Sequence, residues 1–341
     1  MARLFQPLVS IVIPVYNGSN YLREAIESAL TQSYRKIEVL VINDGSRDNN
    51  ETRRIALSFG KKIRYHEKEN GGVSTALNCG IGMMKGDYLS WLSHDDVYFP
   101  YKLKEQVNML QATKKNVILY GDYDVIDENS SYVRTESVLS NADLNMRYSL
   151  MVSHPVHGCT TLVPRECFDK VGLFNETLKA AQDYEMWFRL ASEYRFVHMG
   201  VKLIKSRIHK DQNTNLLNSI GSTEENNLYI YMVRTISESE ITNNYTRSLT
   251  RAYIDVLHAY RKKRCLEASR VVMQMAIKSI DYRKIGDAVV VIRTFMTIWF
   301  MEAMDSLKTM LIPLYKNNPR IARVYRWVKY SVAKKVYSVA A

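Results

Sequence analysis

The chain has 341 residues, of which 46% are hydrophobic and 24% charged, and its formal net charge is +12. That length buries a sizeable core and suggests two domains more readily than one, and the composition is that of an ordinary globular protein. Residues 1–250 hold 29 Lys and Arg against 29 Asp and Glu, while residues 251–341 hold 18 against 6, so the last part carries the whole excess. A neutral first part offers nucleic acid no platform, and the basic last part points to an anionic surface. Four cysteines (Cys79, Cys159, Cys167, Cys265) show no CxxC spacing, which argues against a zinc knuckle or a disulfide framework and suits a reducing cytosol. The opening "MARLFQPLVSIVIPVYN" runs into a strand pattern without the features of a signal peptide.

In chain order, "LVSIVIPVY" (8–16) predicts a strand that stops at "NGSN". "YLREAIESAL" (21–30) then places Tyr21, Leu22, Ala25, Ile26, Ala29 and Leu30 at helical spacing. "IEVLVINDGS" (37–46) predicts a second strand and turn, and "KIRYHEKE" (62–69) a third, weaker one. "GGVSTALNCGIGMMKG" (71–86) predicts a helix entered through two glycines, and "DYLSWLSHDD" (87–96) a fourth strand. "NVILYGDYDVID" and "SYVRTESV" continue as strands, "AQDYEMWFRLASEY" (181–194) as a helix, and "FVHMGVKLIKSRIHK" as a strand. Beyond about residue 212 the pattern is helical. This alternation predicts an α/β fold, a mostly parallel mixed sheet with helices on both faces. Ligands of such sheets bind beyond the carboxyl ends of the strands, which here carry "PVYN", "NDGS" and "SHDD".

Five blocks in order then resemble the family 2 glycosyltransferases, inverting enzymes of the GT-A (Rossmann-like) fold that use nucleotide-sugar donors. They are "VSIVIPVYNGSNYLREAIESALTQSYRKIEVLVINDGSRDN", "ENGGVSTALNCGI", "YLSWLSHDDVYFPYKLKEQ", "GCTTLVPRECFDKVGLFNETLKAAQDYEMWFRLA" and "SRIHKDQNT". The likeness spans roughly residues 8–215, which sets a catalytic domain at 1–215 and a helical, basic C-terminal region at 216–341. Three positions depart from the common pattern: His94 where a third aspartate is frequent, Gln182 before Asp183 where glutamate is usual, and Leu77 where arginine is frequent.

The resemblance implies a role for each matching residue. A departing nucleoside diphosphate needs its charge offset, which a divalent cation, Mn²⁺ or Mg²⁺, supplies through hard ligands. The implied metal ligands are Asp96 and His209, with Asp95 on the ribose or a metal-bound water; a plain acidic turn is the competing reading of "DD", and a surface loop histidine that of His209. Asp44 is implied on the N3–H of a uridine-type base, with Pro14 and Tyr16 as a wall and Asn17, Asn70 and Gly71 completing the nucleotide site; Asp44 is also a good turn former. Asp183 is the implied base that deprotonates the acceptor hydroxyl, against the alternative that it merely caps its helix. His157, Gln182 and Trp187 fall on the acceptor side, and the spacing of Trp187 also fits the core.

"RIARVYRWVKYSVAKKVYSV" (320–339) reads as a basic amphipathic helix suited to an anionic membrane surface, or to pairing with a second copy as a homo-oligomer. "AVVVIRTFMTIWFM" (288–301) is too short to span a bilayer and contains Arg293. The expectation is an enzyme that extends a bacterial surface polysaccharide or a lipid-linked glycan acceptor, cytoplasmic and peripheral on the inner face of the membrane. The competing class is a non-catalytic nucleotide-sugar-binding module tethered by its tail. A nucleotidyltransferase would need a glycine-rich, basic opening loop that "PVYNGSN" lacks.

Overall fold

The computed structural model describes residues 5–113, 116–137, 145–210, 212, 218–242, 248–280, 286–287, 289–294 and 296–298. The basic segment 320–339 lies outside them. The chain divides into two compact units: residues 1–244 with 259–269, and residues 245–258 with 270–341. The first unit thus includes residues 216–244, which the sequence pattern groups with the C-terminal region.

The first unit is built on two sheets. In the larger, β3 (Arg64–Glu67), β2 (Ile37–Asn43), β1 (Val9–Val15) and β4 (Tyr88–Trp91) run parallel in that order, and β8 (Val163–Pro164) is antiparallel at the edge. All seven residues of β1 are buried, as expected of a central parallel strand covered on both faces. Its one polar residue, Ser10, donates to Glu38 Oε1 at 2.6 Å and accepts the Gly86 amide at 2.9 Å. Helix α1 (Leu22–Leu30) buries Leu22, Ala25, Ile26 and Ala29, the stripe its spacing predicts. The register, with Val15 opposite Asn43 and Val12 opposite Trp91, brings the turns at 16–21, 44–50 and 92–96 to one edge of the sheet.

The second sheet has the order β5 (Val97–Tyr98), β9 (Arg195–Arg207), β6 (Val117–Ile126), β7 (Tyr132–Glu136). β6 and β9 are parallel, and a bridge between Leu119 and Leu162 ties β6 to the segment entering β8. The predicted fourth strand, 87–96, is therefore corrected: β4 ends at Trp91, a turn carries Ser93 to Asp96, and the chain re-enters as β5 in the other sheet. β5 pairs antiparallel with β9, Val97 opposite Lys205, so the residues just before β5 meet the residues just after Lys205. That register joins "SHDD" to "SRIH" across more than a hundred residues of chain.

The last acceptor-side element, α7 (Gln182–Leu190), follows the loop 172–181. Asn78, on α3 (Val73–Met83), binds that loop through Phe174 O at 2.9 Å and Phe174 N at 3.0 Å. Leu77, the residue in place of arginine, is fully buried on the same helix and points no charge at the sheet edge. No helix among the described residues is long and apolar enough to cross a membrane.

Candidate active site

At the ends of β1 and β2 short polar side chains stitch the turns together. Asn17, at a left-handed φ of 50°, donates its amide to Ser46 Oγ at 2.8 Å and accepts the Arg47 amide on Oδ1 at 2.7 Å. Pro14 is buried in β1 opposite Ile42, and Tyr16 stands 39% exposed just past the strand end. Asp44 is almost fully buried. Its carboxylate accepts Lys68 Nζ at 2.6 Å, the Gly71 amide at 3.1 Å, the Gly72 amide at 2.7 Å and Asn70 Nδ2 at 3.2 Å. Those donors fill the roughly four lone-pair positions of a carboxylate. Asp44 therefore organises the turn 68–72, and a contact with a base edge requires one of these donors to give way. Gly72 adopts φ 95°, a conformation that suits glycine.

The "DD" pair divides into two environments. Asp96 is 4% exposed, accepts the Arg207 amide on Oδ1 at 3.0 Å, and is pushed up to about 7 by burial and by Asp95. Asp95 turns the other way, with Oδ2 3.1 Å from His209 Nε2. Burial works to raise the Asp95 carboxyl, but the His209 hydrogen bond and His94 outweigh it and hold the group below its usual range. Of the pair, Asp95 stands beside His209 and Asp96 is the enclosed one. His94 packs so closely on α1's approach that a Cβ on Gly18 would lie 2.3 Å from its ring.

Asp96, His157 and Cys159 also bring potential ligand atoms within 4.8 Å of one another. Each of these atoms already has a partner. His157 Nε2 meets Ser206 Oγ at 3.1 Å and its Nδ1 accepts the Cys159 amide at 3.3 Å; the Cys159 sulfur accepts the Ser93 amide at 3.2 Å. Burial, and then Asp96, drive the Cys159 thiol well above its ordinary value, so it holds its proton. Burial lowers His157 to about 4, leaving it neutral. The cluster is a closed hydrogen-bond network beneath the turn.

Arg207 is a site residue that sequence reasoning missed. It is fully buried, and its guanidinium donates to Asp95 O at 3.0 Å, Asp127 O at 3.1 Å, Ser130 Oγ at 2.8 Å and Glu24 Oε2 at 2.6 Å while lying 4.3 Å from the Tyr21 ring centroid. The planar, multiply donating head of arginine is what holds two separate turns and helix α1 at once. The signal was present in "SRIH", two residues before the histidine that drew attention. A second missed residue is Lys102, also fully buried, whose ammonium donates to Ser90 Oγ at 2.8 Å and Gln106 Oε1 at 3.0 Å and is lowered to about 7 by burial.

On the acceptor side, Asp183 is the second residue of α7. Ala181 occupies the cap position, so Asp183 does not cap the helix; its Oδ1 accepts the Tyr184 amide at 2.9 Å. Burial, with a further push from Glu225, raises Asp183 to about 6. Gln182 is buried beside it, and its Oε1 has no hydrogen-bond partner among the described residues. Trp187 is 1% exposed, edge-on to Phe174 and Phe196 at centroid distances of 6.2 and 6.4 Å. Five residues after Gln182 on the helix, the ring packs into the core, the reading that its spacing also fits.

A parallel sheet with acidic turns at its carboxyl edge, flanked by a second mixed sheet, defines the GT-A class. Two solved structures share the fold: S. aureus TarS in complex with UDP-GlcNAc (15% identity, TM-score 0.57, covering 84% of this chain and 80% of that one) and a mannosyltransferase from Pyrobaculum calidifontis in complex with GDP-Man and Mn²⁺ (16%, 0.54, 98% and 87%). Residues 10–172 match the glycosyl transferase family 2 model. A glycosyltransferase of Rickettsia prowazekii is 41% identical over 335 residues, 96% of this chain and 98% of the relative. Another from Rickettsia bellii is 47% identical over 241 residues, 70% of this chain, which spans only 35% of that relative's length. The chain belongs to glycosyl transferase family 2, a family of sugar-transferring enzymes.

Proposed function

We propose that the protein transfers a sugar, with inversion, from a nucleotide-diphosphate donor, UDP-sugar favoured, to a glycan or lipid-linked glycan acceptor in bacterial surface polysaccharide synthesis. The observation that carries this reading is the contrast of carboxylates in one compact unit: Asp95 held ionised beside His209, and Asp183 raised to about 6. A general base works best with a pKa near the operating pH, and Asp183 meets that condition while Asp95, held below the usual range, serves as a fixed charge.

Asp95 and His209 suit a divalent cation. Their ligand atoms are 3.1 Å apart, and two ligands on one ion with bonds of about 2.1 Å subtend about 3 Å. Carboxylate and imidazole together favour Mn²⁺ over Mg²⁺, which prefers oxygen and retained water. When bound, the cation offsets charge on the departing diphosphate. Asp96 fixes the turn through the Arg207 amide, and Arg207 fixes it again through Asp95 O. The Asp44-centred turn and the exposed Tyr16 ring frame the nucleoside, over the floor set by Pro14 and Asn17. Asp183 takes the proton of the acceptor hydroxyl, with Gln182 beside it, and the neutral His157 lines the acceptor pocket. The basic C-terminal stretch brings the enzyme to an anionic membrane surface on the cytoplasmic side, where lipid-linked acceptors lie, or pairs two copies.

The test is hydrolysis of a panel of UDP-, GDP- and TDP-sugars with Mn²⁺ or Mg²⁺, comparing wild type with Asp95→Ala and Asp183→Asn. Metal-dependent release from one donor, lost in both variants while Asp183→Asn still binds that donor in calorimetry, is the expected result. Donor binding without turnover, even with acceptor glycans added, would favour the binding-module reading. Absence of binding to every donor would end both.

A further inference from the structure

Three consecutive backbone amides ahead of α7 converge on one carboxylate. Lys179 N lies 2.9 and 3.0 Å from the two oxygens of Glu224, Ala180 N lies 2.8 Å from Oε2, and Ala181 N lies 3.2 Å from Oε2. Glu224 sits on α8 (Asn218–Thr235), beyond the family-model match that ends at residue 172. The approach is tight, since a Cβ on Gly221, one turn earlier on α8, would lie 3.3 Å from the Ala180 Cβ. The other side of the same loop is held by the donor turn: Lys179 Nζ donates to Gly71 O at 2.9 Å, and Ser74 Oγ to Leu178 O at 3.3 Å. Glu224 does not act as the cap of α7, which would bind the Asp183 or Tyr184 amide; it gathers the three amides that lead into the helix and so fixes its entry.

We propose that Glu224 is a positioning residue for the acceptor-side base: by gathering the amides of Lys179, Ala180 and Ala181 it fixes the first turn of α7, and hence the Asp183 carboxylate, against the donor turn at Gly71. The proposal rests on Asp183 being the base. Glu224 itself touches no reacting atom. A displacement of about 1 Å in a reacting group costs on the order of 100-fold in rate, so loss of this clamp registers in turnover and not in donor affinity. An ordinary stability contact would change melting temperature and leave the turnover of the folded enzyme alone.

The experiment compares full-length wild type, Glu224→Ala, Glu224→Gln and Asp183→Asn by amide hydrogen exchange, by calorimetric binding of the UDP-, GDP- or TDP-sugar that wild type hydrolyses, and by Mn²⁺-dependent hydrolysis of that donor. Glu224→Ala is expected to speed exchange at 179–183 by about tenfold. It should lower turnover by about 10- to 100-fold and leave the donor dissociation constant within about twofold, because the donor turn keeps its Asp44 contacts. Glu224→Gln keeps one neutral acceptor oxygen where the carboxylate offers two charged ones, and should fall between wild type and Glu224→Ala in both exchange and turnover. Wild-type exchange or wild-type turnover in folded Glu224→Ala overturns the proposal, as does a parallel loss of donor affinity. If Glu224→Ala does not fold, Glu224→Gln decides: faster exchange with slower turnover supports the clamp, and wild-type values for both overturn it. Asp183→Asn separates the two readings. Retained turnover there removes the base and this proposal with it, whereas a dead Asp183→Asn beside an unaffected Glu224→Ala removes only the role of Glu224.

Discussion

Asp44 and Asp95 at the strand ends and Asp183 at the start of α7 are held in contrasting ways. Asp44 has at least four donors on its two oxygens, and Asp95 has a histidine and the backbone grip of Arg207. Asp183 has a single neighbouring amide and an adverse push from Glu225. A hydrogen-bonded histidine holds the Asp95 carboxyl down, whereas Asp183, with fewer donors and partly buried, is raised. In the proposed mechanism that difference in donors is what separates a fixed charge from a proton acceptor.

The strongest way to break the comparison is Asp183→Asn. Turnover of the transferred donor should fall by about 10²- to 10⁴-fold, the range of general-base contributions, with calorimetric donor affinity little changed. Next comes Asp95→Ala, which should raise the Mn²⁺ concentration needed for half-maximal hydrolysis by about 100-fold, with His209→Ala close behind; Asp96→Asn should shift it far less and show chiefly in melting temperature. Arg207→Met removes the charged bonds to two turns and helix α1 and strands their acceptors, and should cost about 3 kcal/mol in chemical denaturation, discounted from the fully buried case because Glu24 is half exposed.

The pH behaviour sharpens the same contrast. With Asp183 at about 6, kcat/KM should fall below pH 6 as the base is protonated and level off above it. The folded state binds this proton more tightly than the unfolded state, whose value is near 3.8, so the group's contribution to stability declines as pH rises from about 4 to about 6. Asp183→Asn should accordingly be more stable than wild type at pH 7.5, by about 1–3 kcal/mol, in urea unfolding. The smallest effect belongs to Trp187→Phe, which should lower stability by about 1–2 kcal/mol and leave acceptor saturation unchanged.

Much of the donor edge was legible because parallel strands announce themselves as apolar runs and end in short polar turns; "IVIPVYN" and "VLVINDGS" needed no partner to be read. The division of labour within "DD" was not legible. Which aspartate faces His209 depends on where β4 stops and on the pairing of Val97 with Lys205, a long-range register that periodicity does not encode. Trp187 shows the converse: its spacing fitted the core, and burial against Phe174 and Phe196 places it there. Arg207, Lys102 and Glu224 escaped notice because a charged residue reads as solvent-facing until the fold encloses it or aims it at backbone amides.

The contact between Gly18 and the His94 ring carries a consequence for descent. A Cβ at position 18 would stand 2.3 Å from that imidazole, so the histidine in place of the frequent aspartate and the bare backbone opposite form one steric unit. The same Cβ would also stand 2.5 Å from Val15 Cγ2, so relatives should keep glycine at 18 even where a shorter side chain replaces the ring at 94, and release it only where 15 changes as well.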